Sequence, residues 1–116
     1  MADDYDFRLE ARVEGVWIEV RGDLSPDGAG RLLAAVEAGE PGGARADLAL
    51  GEADLPEGKA VALMVDLVRL LLGRFERVRL LEAPQSLAHT LYRTGMLRGG
   101  GRLELIAPRE EEGSPG

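Results

Sequence analysis

The stretch from Asp47 to Arg74 leaves this chain the fewest choices. It reads Asp-Leu-Ala-Leu-Gly-Glu-Ala-Asp-Leu-Pro-Glu-Gly-Lys and then passes into a long apolar segment. Ala46 to Leu50 reads as a strand, and Pro56 or Glu57 to Phe75 as one central helix. Val61, Met64, Val65, Val68, Leu71 and Leu72 recur in that helix at helical spacing, with Leu63, Leu67 and Leu70 in a second row beside them. Only Lys59, Asp66, Arg69 and Gly73 mark a narrow polar edge. A helix this apolar is either covered by its neighbours or offers one flank to a partner. A strand that feeds a helix through a turn is also where α/β folds place recognition or chemistry. Yet no Ser, Thr, Cys or His occurs between Leu48 and Arg69, so a functional position lacks an obvious functional atom.

The flanking segments supply the other layers. Phe7, Leu9, Ala11 and Val13 alternate with Arg8, Glu10 and Arg12, the period of a half-buried strand. Glu14-Gly15 reads as a hairpin turn, and Val16 to Arg21 as a second strand with Val16, Ile18 and Val20 on one face. Ser25-Pro26-Asp27 is a helix start, with a capping hydroxyl, a proline suited to the first turn and an acid at the positive dipole end. Ala29, Leu32, Leu33 and Val36 give that helix one apolar stripe, and Gly39 to Gly43, with Pro41, ends it. Val78 to Glu82 reads as a strand, Ala83-Pro84 opens a helix closed by Thr94-Gly95, and Gly99-Gly100-Gly101 turns into a last strand, Arg102 to Ile106.

The two C-terminal strand–helix–strand connections imply parallel neighbours, and the opening hairpin is antiparallel. The fold class is therefore α/β (α+β-like), a mixed and mostly parallel sheet of four to five strands. The charged row Arg8, Glu10, Arg12, Glu19 and Arg21 forbids burial of both faces, so the helices pack mainly on one face. Trp17 falls on the wetter face, as a filler over charged stems or as an interface anchor. The organisation is an N-terminal tail at 1–6 with Met1 to Asp4 disordered, one domain at 7–107, and an acidic flexible tail at 108–116.

At 116 residues one domain can bury a real core. With no cysteine, disulfides and thiolate metal sites are excluded. The acidic Met-Ala-Asp-Asp start is unlike a signal peptide, and no apolar run is long enough to span a bilayer, so no membrane insertion and a cytoplasmic location are expected. A net charge of −7 disfavours direct nucleic-acid binding. The charge is uneven: residues 69–102 hold seven arginines against Glu76 and Glu82, a local +5 that leaves −12 elsewhere. These arginines are either ordinary solvated charges or a surface that steers a partner.

Catalysis finds no foothold, and neither catalytic residues nor cofactors nor metal ligands are expected. His89 is a lone surface histidine, no nucleophile–base pair can be drawn, and Ser25 is explained as a cap. Glu110-Glu111-Glu112 lies on no rigid element, and Gly99-Gly100-Gly101 lacks the lysine and following helix of a phosphate loop.

Specific residues then meet a family. Val16-Trp-Ile-Glu-Val-Arg-Gly-Asp-Leu-Ser25, Asp47-Leu48, and above all the segment Leu80 to Leu97 with Leu91-Tyr-Arg-Thr-Gly-Met96 near its end resemble the STAS domains, the anti-sigma-factor antagonist family, over residues 7 to 107. The resemblance implies a non-catalytic module that docks onto a protein partner, often an anti-sigma kinase, in partner-switching regulation of transcription. It also implies a phosphorylatable Ser or Thr at the N-terminus of the central helix, in an Asp-Ser-Ser-Gly-like motif, where added negative charge would block docking. Aligned on Gly58, those serines become Pro56 and Glu57; aligned on Asp54, they become Leu55 and Pro56. Either way the acceptor hydroxyl is gone. Glu57 favours the helix dipole and is a poor copy of a phosphate dianion. The expected partner surface is Asp23, Asp54, Leu55, Pro56, Glu57, Gly58 and Lys59, with Leu63 and Leu67 along an exposed helix flank. Two further readings are an accessory subunit on the ATPase of an ABC-type lipid transporter, docked through the Leu63/Leu67/Leu70 row, and a self-associating scaffold, a homodimer through Trp17 and the wet sheet face.

Overall fold

A computed structural model describes residues 5–39, 42–98 and 101–107. Five strands, β1 (Tyr5–Arg12), β2 (Gly15–Asp23), β3 (Gly43–Asp54), β4 (Phe75–Leu81) and β5 (Leu103–Ile106), form one sheet in sequential order. Helices α1 (Pro26–Glu37), α2 (Gly58–Arg74) and α3 (Gln85–Arg93) connect β2 through β5, and a short 3-10 turn at Met96–Arg98 precedes β5. β1 is antiparallel to β2, and every later pair is parallel. The expected mixed α/β architecture is the observed one.

Sequential order decides where the helices go. Parallel crossovers are right-handed as a rule, and all three advance in the same direction across the sheet, so the helices share one face, in keeping with the packing of α2 against both α1 and α3. α2 sits in the middle of that layer, against α1 and α3. Ile18, Leu48, Leu80, Met64, Leu67, Leu71 and Leu87 have no solvent exposure and form the centre of the core. α1 starts as its sequence demands: the Ser25 hydroxyl oxygen accepts from the Gly28 N–H at 3.1 Å, with Pro26 and Asp27 in the first turn. Gly28 lets Tyr5 pack closely, because a Cβ there would stand 2.8 Å from the Tyr5 ring and would have to displace it. That contact belongs to β1, which starts at Tyr5, inside the segment expected to be tail.

Several boundaries differ from the sequence expectation, each for a local reason. The hairpin turn is Val13–Glu14, since Arg12 pairs with Gly15, so Val13 projects into solvent instead of continuing the apolar row. β3 runs to Asp54 because a bulge opposite Glu19–Arg21 inserts one extra residue. The insertion changes the inward phase from Leu48 and Leu50 to Ala53 and Leu55, which broke the alternation. α2 starts at Gly58, not at Pro56: the Glu57 carbonyl accepts the first helical bonds, and Glu57 itself stays extended. β4 begins at Phe75, directly after the helix, where the Arg102 guanidinium gathers the carbonyls of Leu72, Phe75 and Glu76. Met1 to Asp4, residues 40–41 between Gly39 and Gly43, Gly99-Gly100 and residues 108–116 lie outside the described residues.

The uncovered face carries a lattice of charge. Trp17, Asp47, Arg79 and Glu104 are successive register partners across β2, β3, β4 and β5. Asp47 is the buried charged residue among those described, 5% exposed. Its carboxylate accepts from Arg79 Nε at 2.7 Å and from Arg45 Nε at 3.1 Å. The bond to Asp47 raises the Arg79 guanidinium above its ordinary range. Arg8 and Arg21 both reach Glu19, at 3.1 and 2.8 Å, and Arg77 reaches Glu104 at 3.5 Å. Arg12 lies 5.1 Å from the centre of the Trp17 ring, a cation–π contact that gives this tryptophan a role within the sheet.

Replacing Asp47 by Ala leaves two guanidinium groups without their shared acceptor and should cost about 1–3 kcal/mol in urea unfolding, while Glu104→Ala, an exposed pair, should cost less than about 1 kcal/mol. Glu19 adds a pH dependence. The Trp17 indole N–H, then the guanidinium groups of Arg21 and Arg8, hold its carboxyl below the ordinary carboxylate range against its desolvation. A lowered folded pKa stabilises the fold above the unfolded value and loses that contribution as pH falls through the folded value. Thermal melts should therefore show the wild type more stable than Glu19→Gln at neutral pH, with the gap closing below about pH 4.

Candidate partner-binding surface at the head of the central helix

The bulge in β3 assembles one side of the candidate surface. It carries the strand far enough that Asp54 becomes the register partner of Asp23. The Leu24 N–H donates to the Asp54 carbonyl at 2.9 Å and locks the two strand ends together. Two carboxylates distant in sequence thus lie side by side at the C-terminal edge of the sheet, both exposed.

Leu55 follows as an anchor, 8% exposed. Proline at 56 biases it toward the extended backbone that leaves a strand. Pro56, Glu57, Gly58 and Lys59 are all exposed and round the corner into α2. Glu57 occupies the N-cap position, but its side chain makes no capping bond. Glu57 is exposed, three residues along the chain from Asp54 and two from Lys59.

The flank of α2 differs from its expectation in one residue. Lys59, Ala62, Asp66, Arg69 and Gly73 form the exposed stripe, and Leu63 and Leu70 are half-buried on its borders. Leu67, expected on the exposed flank, has no exposure at all. The reason is the layer itself: α2 has a helix on either side, so its apolar arc is covered more widely than a surface helix would need. Leu67 belongs to the core and is removed from the candidate surface; Leu63 stays.

α3 adds a part that sequence reading missed. Gly58, Val61 and Ala62 of α2 and Ser86, His89, Thr90 and Arg93 of α3 line a shallow groove of about 310 Å³. Two hydroxyls thus stand across from a hydroxyl-free turn, and the Thr90 hydroxyl donates to the Ser86 carbonyl at 2.9 Å. Parallel crossovers on one face were the available signal, because they make α2 and α3 neighbours. His89 is exposed on this wall. Among the described residues no group of three or more His, Asp or Glu side chains is placed to hold a metal ion, and no helix is long and apolar enough to cross a membrane.

The arginine-rich segment resolves largely into structural duties. Arg74 donates to the Val36 and Glu37 carbonyls at 2.9 and 3.2 Å and so closes the C-terminus of α1. Arg102 does the same for the end of α2, and Arg77 and Arg79 bind Glu104 and Asp47. Arg69 pairs loosely with Asp66 at 3.8 Å. Arg74, Arg77, Arg79 and Arg102 are thus engaged by the fold, and Arg93 is exposed at the groove.

Comparison with family models and with curated proteins finds no match. Among solved structures, the chain is similar to an uncharacterized protein of the DUF3478 family from Shewanella loihica PV-4, described as having a SpoIIAA-like fold. The TM-score is 0.56 over 94% of this chain and 93% of that one, at 16% identity. At that identity the likeness is one of fold, and the fold is the SpoIIAA-like one.

The burial of the two leucines predicts unequal costs. Leu67→Ala should lower unfolding free energy by about 2–5 kcal/mol in urea. Leu63→Ala, on the half-exposed border, should cost clearly less.

Proposed function

We propose that this chain is a non-catalytic regulatory module that binds a protein partner, in the manner of anti-sigma-factor antagonists but without their phosphorylatable hydroxyl at the head of the central helix. The observation that carries the reading is the continuous exposed surface from Asp23 and Asp54 through Pro56, Glu57, Gly58 and Lys59 to the α2–α3 groove. Its chemistry is that of recognition: carboxylates at one end, a cation and half-buried Leu63 beside them, and a shallow cleft. Asp23, Asp54 and Glu57 suit a basic patch on the partner, and Leu63 supplies apolar area at the border. The SpoIIAA-like fold of the structural neighbour is compatible with this role.

Regulation would differ from that of phospho-switched relatives. Residues 54–59 offer no acceptor oxygen of the hydroxyl type. Ser25 is engaged as the cap of α1, and its modification would disturb that helix start. The exposed Glu57 carboxylate supplies a single permanent charge where a switch would alternate between none and two. Docking would then be constitutive, set by partner concentration.

Affinity purification of the tagged chain from its own cytoplasm, repeated with Leu63→Asp and with Asp54→Lys, tests the reading. The expected outcome is a kinase of the anti-sigma type that both variants lose by tenfold or more, on the order of 1.4 kcal/mol or above. Recovery of a transporter ATPase with its permease would replace the partner class while keeping the surface. Retention of every partner by both variants would refute the surface. Incubation with the recovered kinase and ATP should leave the chain unlabelled; phosphate on Ser25 would overturn the account of regulation.

A further inference from the structure

β1 is an edge strand, and the direction of its free backbone groups can be worked out. The Leu24 N–H and the Glu14 carbonyl both bond to β3, so even-numbered residues of β2 turn their backbone groups toward β3 and odd-numbered ones toward β1. Odd-numbered β2 residues pair with even-numbered β1 residues. The amides and carbonyls of Phe7, Leu9 and Ala11 therefore point away from the sheet, along its open edge. No other strand among those described covers that edge. Exposed edges of this kind are normally blunted by charged side chains, proline, bulges or brevity; β1 has charges, but it has eight residues, no proline and an unbroken register.

The side chains along this edge have an internal symmetry. Asp6-Phe7-Arg8-Leu9-Glu10-Ala11-Arg12 is antisymmetric in charge about Leu9. Laid antiparallel against a second copy and centred on Leu9, Asp6 of one strand meets Arg12 of the other and Arg8 meets Glu10. On the helix-side face Phe7 meets Ala11 and Leu9 meets Leu9. The backbone phase fits, because Phe7, Leu9 and Ala11 become the hydrogen-bonded positions. The charged residues fall at the non-hydrogen-bonded positions, where cross-strand side chains approach most closely.

Slips are penalised in both directions. Sliding by two residues one way sets Arg8 against Arg12 and Glu10 against Glu10; the other way sets Asp6 against Glu10 and Arg8 against Arg8. A slip by one residue puts charged side chains on the apolar face. Sliding by four residues restores opposite charges, Asp6 with Arg8 or Glu10 with Arg12, but pairs fewer residues; the register centred on Leu9 satisfies charge, face and backbone over the longest overlap.

The edge also has apolar surface in need of cover. Leu9 is 36% exposed, and beneath the hairpin an apolar cleft of about 200 Å³ is lined by Leu9, Ala11, Val16, Val36 and Phe75. Tyr5 packs against α1 and Phe7 is half-buried against the core, while Leu9 and Ala11 are exposed. Arg8 and Arg12 already bond Glu19 and Glu10, but their side chains are half or more exposed and can bridge a second carboxylate.

We propose that the free edge of β1 is a self-recognition surface, through which two copies of this chain pair antiparallel about Leu9 and join their sheets into one. The two-fold contact is closed, so it yields a dimer and not a filament. A seam of this size gives a reversible, concentration-dependent dimer. It does not use the surface at the head of α2 and stands independently of the function proposed above.

Sedimentation velocity over a concentration series, with charge-swapped variants, tests the pairing. The wild type should pass from monomer mass to dimer mass as concentration rises. Arg8→Glu alone and Glu10→Arg alone should each remain monomeric, since each sets like charges opposite. An equimolar mixture of the two should restore a dimer, and native mass spectrometry should show it to be the heterodimer. A wild type that stays monomeric at the highest concentration, or a dimer that persists in both single variants, would overturn the proposal. Amide exchange of the wild type needs no variant: Phe7, Leu9 and Ala11 should slow with concentration while Arg8 and Glu10 do not, and equal behaviour of the two sets would also overturn it.

Discussion

Cover is available to only one face of this sheet, and most of the structure follows from that constraint. Five strands in sequential order, joined by crossovers that are right-handed as a rule, place every helix on the same side. The inner row of each strand is then buried against α1, α2 and α3, and the outer row must live in water. The chain meets that demand with paired charges: Asp47 gathers Arg45 and Arg79, Glu19 gathers Arg8 and Arg21, and Arg12 covers Trp17. Asp47 matters most among these because its carboxylate is buried by the very arginines that satisfy it, in the middle of β3. The same one-sided layering explains α2, whose nearly all-round apolar sequence is what a helix flanked on both sides requires.

Strand alternation and helix starts made most of the fold legible in the sequence. The row Arg8, Glu10, Arg12, Glu19 and Arg21 announced an uncovered face, and Ser25-Pro26-Asp27 announced α1. What stayed hidden was decided by tertiary contact. The bulge in β3 could not be read from residues 46–54, because its evidence is the partner strand. Leu67 looked like the flank of a helix and proved to be its core, since spacing does not say how many neighbours a helix has. The arginines of residues 69–102 read as solvated charges or a steering surface and proved mostly to be helix caps and sheet ion pairs, because the carbonyls and carboxylates they reach lie up to 38 residues away.

The candidate surface was half legible. Asp54 to Lys59 stood out as a turn feeding a helix, and Asp23 was placed with it on family resemblance; the structure sets Asp23 and Asp54 in register. The α3 wall of the groove, with Ser86, His89 and Arg93, carried no local signal, since each is an ordinary exposed residue of a short helix. The turn is therefore one rim of a larger surface. Under the proposed function, the missing hydroxyl would remove a switch from that rim and leave its shape and charge in place.

The central claim is that recognition occurs at the head of α2 and along its groove with α3, while the opposite sheet face is structural. Hydrogen exchange of the chain, free and in complex with the partner it co-purifies with, tests this most directly. The account predicts slowed exchange over residues 54–63 and 85–93, with the centres of β3 and β4 unchanged. Protection confined to the strands of the charged face, with none over 54–63, would contradict it.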